Sequence, residues 1–146
     1  MALEFDGFDD YTTDDNLESG EGVRVEYDDG RAFLIHRAGG SNKKFTKLLQ
    51  ARMKPHERKL QMGTLPEGVA ERIMMECYAR AIVIGWDGIT AKGKAVPFTP
   101  ENCIALFEAK PEVFRAIQRD ANDLALFRRE VQEENAGNSA ASSDGS

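Results

Sequence analysis

Between Pro66 and Ile84 the chain repeats apolar residues at helical spacing, and this stretch limits the possible folds most tightly. Val69, Ile73, Cys77, Ala81 and Ile84 fall on one helical face, with Met74, Tyr78 and Ile82 beside them. A stripe that wide predicts a central helix over 66–84, covered by other elements on more than one side. Pro66 suits the first turn, Glu67 complements the dipole there, and Gly85-Trp86-Asp87-Gly88 closes the segment.

The rest of the chain must supply that cover. Its 146 residues, 41% hydrophobic and 30% charged, make one domain with a real core. Residues 22–37 read as a β-hairpin turning at Asp28-Asp29-Gly30. A three-residue loop with Gly30 as the bulge gathers Val23, Val25, Phe33 and Ile35 on one face, whereas a two-residue Asp29-Gly30 turn pairs Val25 with Leu34. The first buries the larger apolar set. A lone hairpin is marginal, so it must pack on helices or pair with another chain's edge. Residues 41–54 read as a helix capped by Ser41 or Asn42, with Phe45, Leu48, Leu49 and Met53 on its apolar side. Lys43, Lys44, Lys47, Arg52 and Lys54 make its other side basic, and Pro55 ends or bends it.

Residues 89–98 read as a loop. Thr99-Pro100-Glu101-Asn102 then starts a helix to about Lys110, with Thr99 capping and Pro100 in the first position. Pro111-Glu112 opens another, on which Val113, Ile117, Leu124 and Val131 lie within roughly 40° of one line, with Phe127 at its edge. Leu126 points away from that line and becomes a candidate partner contact. The expected fold class is therefore α+β and mostly α: an N-terminal hairpin followed by about four helices over 21–134. A disordered acidic arm over 1–20 and a flexible tail over 135–146 flank the domain.

Charge is segregated along the chain. The net charge is -6, yet residues 1–30 carry eleven acids and one base, while residues 31–60 carry nine bases and one acid. The arm either stays solvated, folds back on the basic segment, or engages a partner, as does the basic segment itself. Phe5, Phe8 and Tyr11 interrupt the acidic arm, and such a segment can dock as a linear motif.

Reactive chemistry finds little support. Gly88 to Ala95 approaches a phosphate-binding loop, but Ala95 lacks the hydroxyl, Pro97 sits where a helix must begin, and the segment follows a helix rather than a strand. His36, His56, Cys77 and Cys103 match no compact zinc pattern, and the cysteines read as buried structural thiols of a reducing compartment. No Gly-x-Ser-x-Gly elbow occurs, and His36 reads as the polar end of a strand. The expectation is a protein without enzyme activity, metal or cofactor. No apolar run reaches the ~18 residues of a membrane span, and the acidic N-terminus is not expected to be a signal peptide.

Gly85-Trp86-Asp87-Gly88-Ile89, then Val96-Pro97-Phe98-Thr99-Pro100-Glu101-Asn102, Pro111-Glu112-Val113-Phe114, Ala121-Asn122-Asp123 and Phe127-Arg128 follow one another in an order that resembles the tail assembly chaperones of long-tailed bacteriophages. The hairpin and the Asn42-to-Phe45 helix start are more loosely similar, so the resemblance covers roughly 22–135. It implies a non-enzymatic assembly chaperone that binds the tape measure protein and recruits tail tube subunits. Such a protein acts in the host bacterial cytoplasm, is absent from the mature virion and can self-associate. Trp86, Gly88, Pro97, Phe98, Thr99, Pro100 and Asn102 would be scaffold residues, with the indole between the long helix and the Pro100 helix. Helix-in-groove contact is the natural binding mode. Phe45, Lys47 and Arg52 are the candidate contact residues near the hairpin and basic helix. Two other classes compete: a nucleic-acid-binding accessory using residues 31–59, and a structural tail or head–tail component of the virion.

Overall fold

The computed structural model describes residues 3–144. Short helix α1 (Asp15–Ser19) precedes strands β1 (Val23–Asp28) and β2 (Arg31–Ile35). Helices α2 (Lys43–Met53), α3 (Glu57–Gln61) and α4 (Glu67–Ala81) follow, then strands β3 (Val83–Asp87), β4 (Thr90–Ala91) and β5 (Lys94–Ala95). Helices α5 (Pro100–Ala109), α6 (Pro111–Ala121) and α7 (Arg129–Asp144) are the last described elements. The mostly helical α+β class and the N-terminal hairpin are as the residue pattern indicates.

Val25 pairs with Phe33 and Val23 with Ile35, so the hairpin adopts the register that collects the apolar residues on one face. The irregularity lies between Glu26 and Asp28, leaving Tyr27 outside the ladder. That offset sends the Tyr27 hydroxyl across to α6, where it donates to Asp120 Oδ2 at 2.6 Å. Burial, reinforced by the Asp120 carboxylate, raises the phenol well above its ordinary pKa.

The hairpin's covering strand comes from its own chain. The helix expected over 66–84 stops at Ala81, and Val83–Asp87 becomes β3, antiparallel to β2, with Phe33 opposite Trp86. Helical periodicity at Ile82 and Ile84 loses to β-branched and aromatic residues that can satisfy the free edge of β2. Ile84 falls at the register shift and is exposed rather than on a core face. The remainder of α4 is the expected central helix, packed between α2 and α5. Its Tyr78 ring meets Phe45 edge-on at 5.3 Å and Phe114 at 5.4 Å, and Phe107 stacks obliquely on Phe114 at 4.9 Å.

The helix expected from Pro111 onward is broken. Asn122 Nδ2 takes the Gln118 carbonyl, the Ala38 amide takes that of Ala121, and Asp123 Oδ1 caps a 3₁₀ turn over Leu124–Phe127. These local acceptors and donors compete with continued helix. The break turns Phe127 into the core, so the buried set is Phe114, Ile117, Ala121 and Phe127 rather than Val113, Leu124 and Val131. Leu126, expected to face solvent, packs half-buried against the core. Beyond it, the backbone of α7 runs helically through much of the 135–146 stretch.

The acidic arm is shorter than the 1–20 expected. Residues 3–12 are exposed, but Asp14 caps α1, accepting from the Asn16 and Leu17 amides, and its own amide donates to the Phe127 carbonyl at 2.7 Å. Leu17 is thereby buried, which offsets the cost of ordering an acidic segment. Glu18, also buried, pairs with Arg37 and accepts from the Ser41 amide at 3.1 Å. The arm does fold back, but apart from Arg37 its partners are Arg128, which meets Asp10, and Arg129, which meets Asp14 and Glu21.

Candidate functional site

The segment from Trp86 to Asn102 folds as a braced elbow between β3 and α5. Trp86 Nε1 donates to the Val96 carbonyl at 2.9 Å, and its ring meets Phe98 at 5.2 Å and Phe33 at 6.1 Å, both edge-on. The indole therefore joins the sheet to the Phe98 loop, and does not wedge between α4 and α5 as its neighbours in sequence suggested. Its position on a strand, not in a loop, causes the difference. Thr99 Oγ1 accepts from the Asn102 amide at 3.0 Å and Pro100 takes the first turn of α5. Asn102 Nδ2 donates back to the Pro97 carbonyl at 3.0 Å, tying the cap to the loop before it. Gly88 has φ +75°, and a Cβ there would overlap the Gly30 carbonyl, so the elbow abuts the hairpin turn at a point only glycine fits.

Between elbow and hairpin lies an open apolar cleft of about 500 Å³, floored by Phe33, Ile89, Leu106 and Val113 and rimmed by Asp28, Arg31 and Lys110. A second cleft of about 320 Å³ shares Ile89, Thr90, Leu106 and Lys110 with it and continues past Trp86, Ala105 and Ala109. Together they run along the outer side of α5, whose ten residues span about 15 Å. Apolar floor and polar rim suit an amphipathic segment. Ile89, Leu106 and Val113 carry this groove, and periodicity placed Val113 on the apolar line of its helix. Thr90 and Ala91 of β4 form part of the groove wall beside them.

The basic helix divides differently from expectation. Phe45 is buried against Tyr78, because the Asn42 cap sets its face toward α4; it is a core residue and not a contact residue. Asn42, not Ser41, is the cap, and its Nδ2 also donates to the Arg37 and Ala81 carbonyls. Arg52 is exposed yet paired with Glu76 at 3.1 Å. Lys43, Lys44 and Lys47 are exposed, and among the described residues no ion pair involves them.

The near phosphate-loop motif follows strand β3, not a helix, but it folds as a two-stranded hairpin. Thr90 pairs with Ala95 and Ala91 with Lys94, around Lys92 and Gly93 at φ +52° and +80°. Such a turn leads into a strand where phosphate binding needs a helix N-terminus. Cys77 and Cys103 are buried, and burial pushes the Cys103 thiol up to about 12. His36 Nε2 donates to the Gly20 carbonyl at 2.8 Å and its amide to Ile82. Among the described residues no group of three or more His, Cys, Asp or Glu is placed to hold a metal ion, and no helix is long and apolar enough to cross a membrane.

A family model described as YdaY prophage protein matches residues 40–138, from the loop before α2 into α7 and across the whole elbow. No curated protein and no solved structure matches the chain.

Proposed function

This chain belongs to the YdaY prophage protein family and is of phage origin; from that premise we propose that it is a tail assembly chaperone. It binds the tape measure protein through the groove along α5 and recruits tail tube subunits, without catalysing a reaction. It works in the host cytoplasm and leaves before the virion is complete. The supporting observation is the elbow. The residues that carry the resemblance to tail assembly chaperones are engaged with one another, Trp86 with Val96, Thr99 with Asn102, and Asn102 with Pro97. They border an apolar groove that runs beside α5. A long helical client presents repeated apolar stripes that aggregate when bare, and a groove with a charged rim covers two or three turns of such a stripe at a time.

Co-expression with the tape measure protein of the same prophage tests this. The expected result is a soluble complex, with client recovery falling at least tenfold for Ile89→Glu combined with Val113→Glu. If the tape measure protein is soluble alone and does not associate, the proposal fails. The exposed Lys43, Lys44 and Lys47 favour a second reading as a nucleic-acid accessory. It requires steeply salt-dependent binding to duplex or single strands that is lost when these lysines are neutralised.

A further inference from the structure

Pro55 bends the chain after α2 into a 3₁₀ turn, Lys54–His56, and α3 then projects with every residue from Glu57 to Thr64 exposed. Leu60 and Met62 on this knuckle are 53% and 68% exposed, and the neighbouring sequence carries Lys54, Arg58 and Lys59 against the single acid Glu57. Two open apolar side chains in a segment of net positive charge make a compact apolar-basic surface. A matching surface lies at the N-terminus. Leu3, Phe5, Phe8 and Tyr11 are each more than 70% exposed, and Glu4, Asp6, Asp9 and Asp10 alternate with them. Phe8 is held at φ +62°, a costly conformation for a bulky residue, and its ring lies 6.3 Å from that of Tyr11. The arm therefore presents an aromatic pair in an acidic frame, anchored behind by the Asp14 and Asp10 contacts to Arg129 and Arg128.

We propose that the acidic-aromatic arm of one copy docks on the basic Leu60–Met62 knuckle of a second copy, making a head-to-tail, salt-sensitive assembly. Charge sign and apolar content are complementary, and both surfaces are present once per chain. The contact is between different patches, so it propagates into rings or open chains rather than closing as a two-fold dimer. It uses none of the groove residues and holds whether or not the tape measure protein is the client.

Sedimentation of the full chain across a concentration series tests it. Association is expected at about 50 mM salt and to weaken at least tenfold at about 500 mM. Phe5→Ser with Phe8→Ser, and separately Leu60→Ser with Met62→Ser, should each abolish assembly while leaving the far-ultraviolet spectrum and Tm unchanged, because all four side chains are exposed. Mixing the two double variants should restore a complex that stops at the dimer, since one intact arm and one intact knuckle remain. A chain that stays monomeric at all concentrations overturns the proposal, including one whose arm docks within its own copy. So does assembly that survives either double variant, or a mixture that stays monomeric. Client capture by the groove is scored separately, so each proposal can fail alone.

Discussion

Gly88 concentrates the tightest steric demand in the elbow. It combines a left-handed backbone with a Cβ direction blocked by the Gly30 carbonyl, whereas Gly93 is left-handed with open space around its Cβ direction. The pair separates conformational strain from collision. Gly88→Ala is expected to lower unfolding stability by at least ~2 kcal/mol, and Gly93→Asn by less than ~1 kcal/mol, in urea titrations. Neither glycine's packing was legible in sequence. Gly88 stood out only within the Trp-Asp-Gly string, and its neighbour across the fold lies some 58 positions away. Thr99, by contrast, was fully legible, because a cap bonds to residues within its own turn. Phe45 misled for a related reason: a helix face shows which side is apolar, not whether a partner already covers it.

Among the elements, α1 carries a buried carboxylate, Glu18, beside its buried Leu17. Burial alone would raise the Glu18 pKa, but the Arg37 guanidinium, the Ser41 amide and the Thr13 and Ser41 hydroxyls outweigh it and hold it below the usual 4.5. A carboxyl depressed in the folded state adds stability that is complete above its unfolded pKa and is lost as pH falls through the folded one. Stability measured from pH 7 downward should therefore decline below about pH 4.5, and Glu18→Gln should be less stable at neutral pH with a shallower acid limb. An acid limb identical to that of the parent protein would show that Glu18 does not carry this dependence. The hairpin's register was readable because one pairing buries more apolar area than the other. The end of α4 was not, since Ile82 and Ile84 satisfy both periods and only the waiting edge of β2 decides between them. The break after Ala121 was hidden because its causes, the Ala38 amide and the Asp123 cap, involve a distant loop and a residue common inside helices.

At the level of the whole molecule, the N-terminal segment has two parts with different duties. Removing residues 1–8 deletes side chains that are exposed at every described position, 3–8, and should leave Tm within ~1 °C of the full chain. Removing residues 1–19 deletes Leu17, the Glu18–Arg37 pair and the strand-like link to Phe127, and should lower Tm by at least ~6 °C in calorimetry. Equal effects of both truncations would contradict the packing of α1. Charge segregation marked this region in the sequence, but composition describes an average, and one leucine among acids is enough to anchor a turn of helix.

The hydrogen bond from the Asp14 amide to the Phe127 carbonyl also sets a schedule for synthesis on the ribosome. The hairpin and α1 emerge early, yet β3 arrives only with residue 87 and the seat for α1 only with residue 127. Until then a sheet edge and an unseated leucine wait on the nascent chain. Folding of this part can therefore finish only after residue 127 has been made, and conditions that slow elongation prolong the interval in which sticky edges of neighbouring nascent chains can meet.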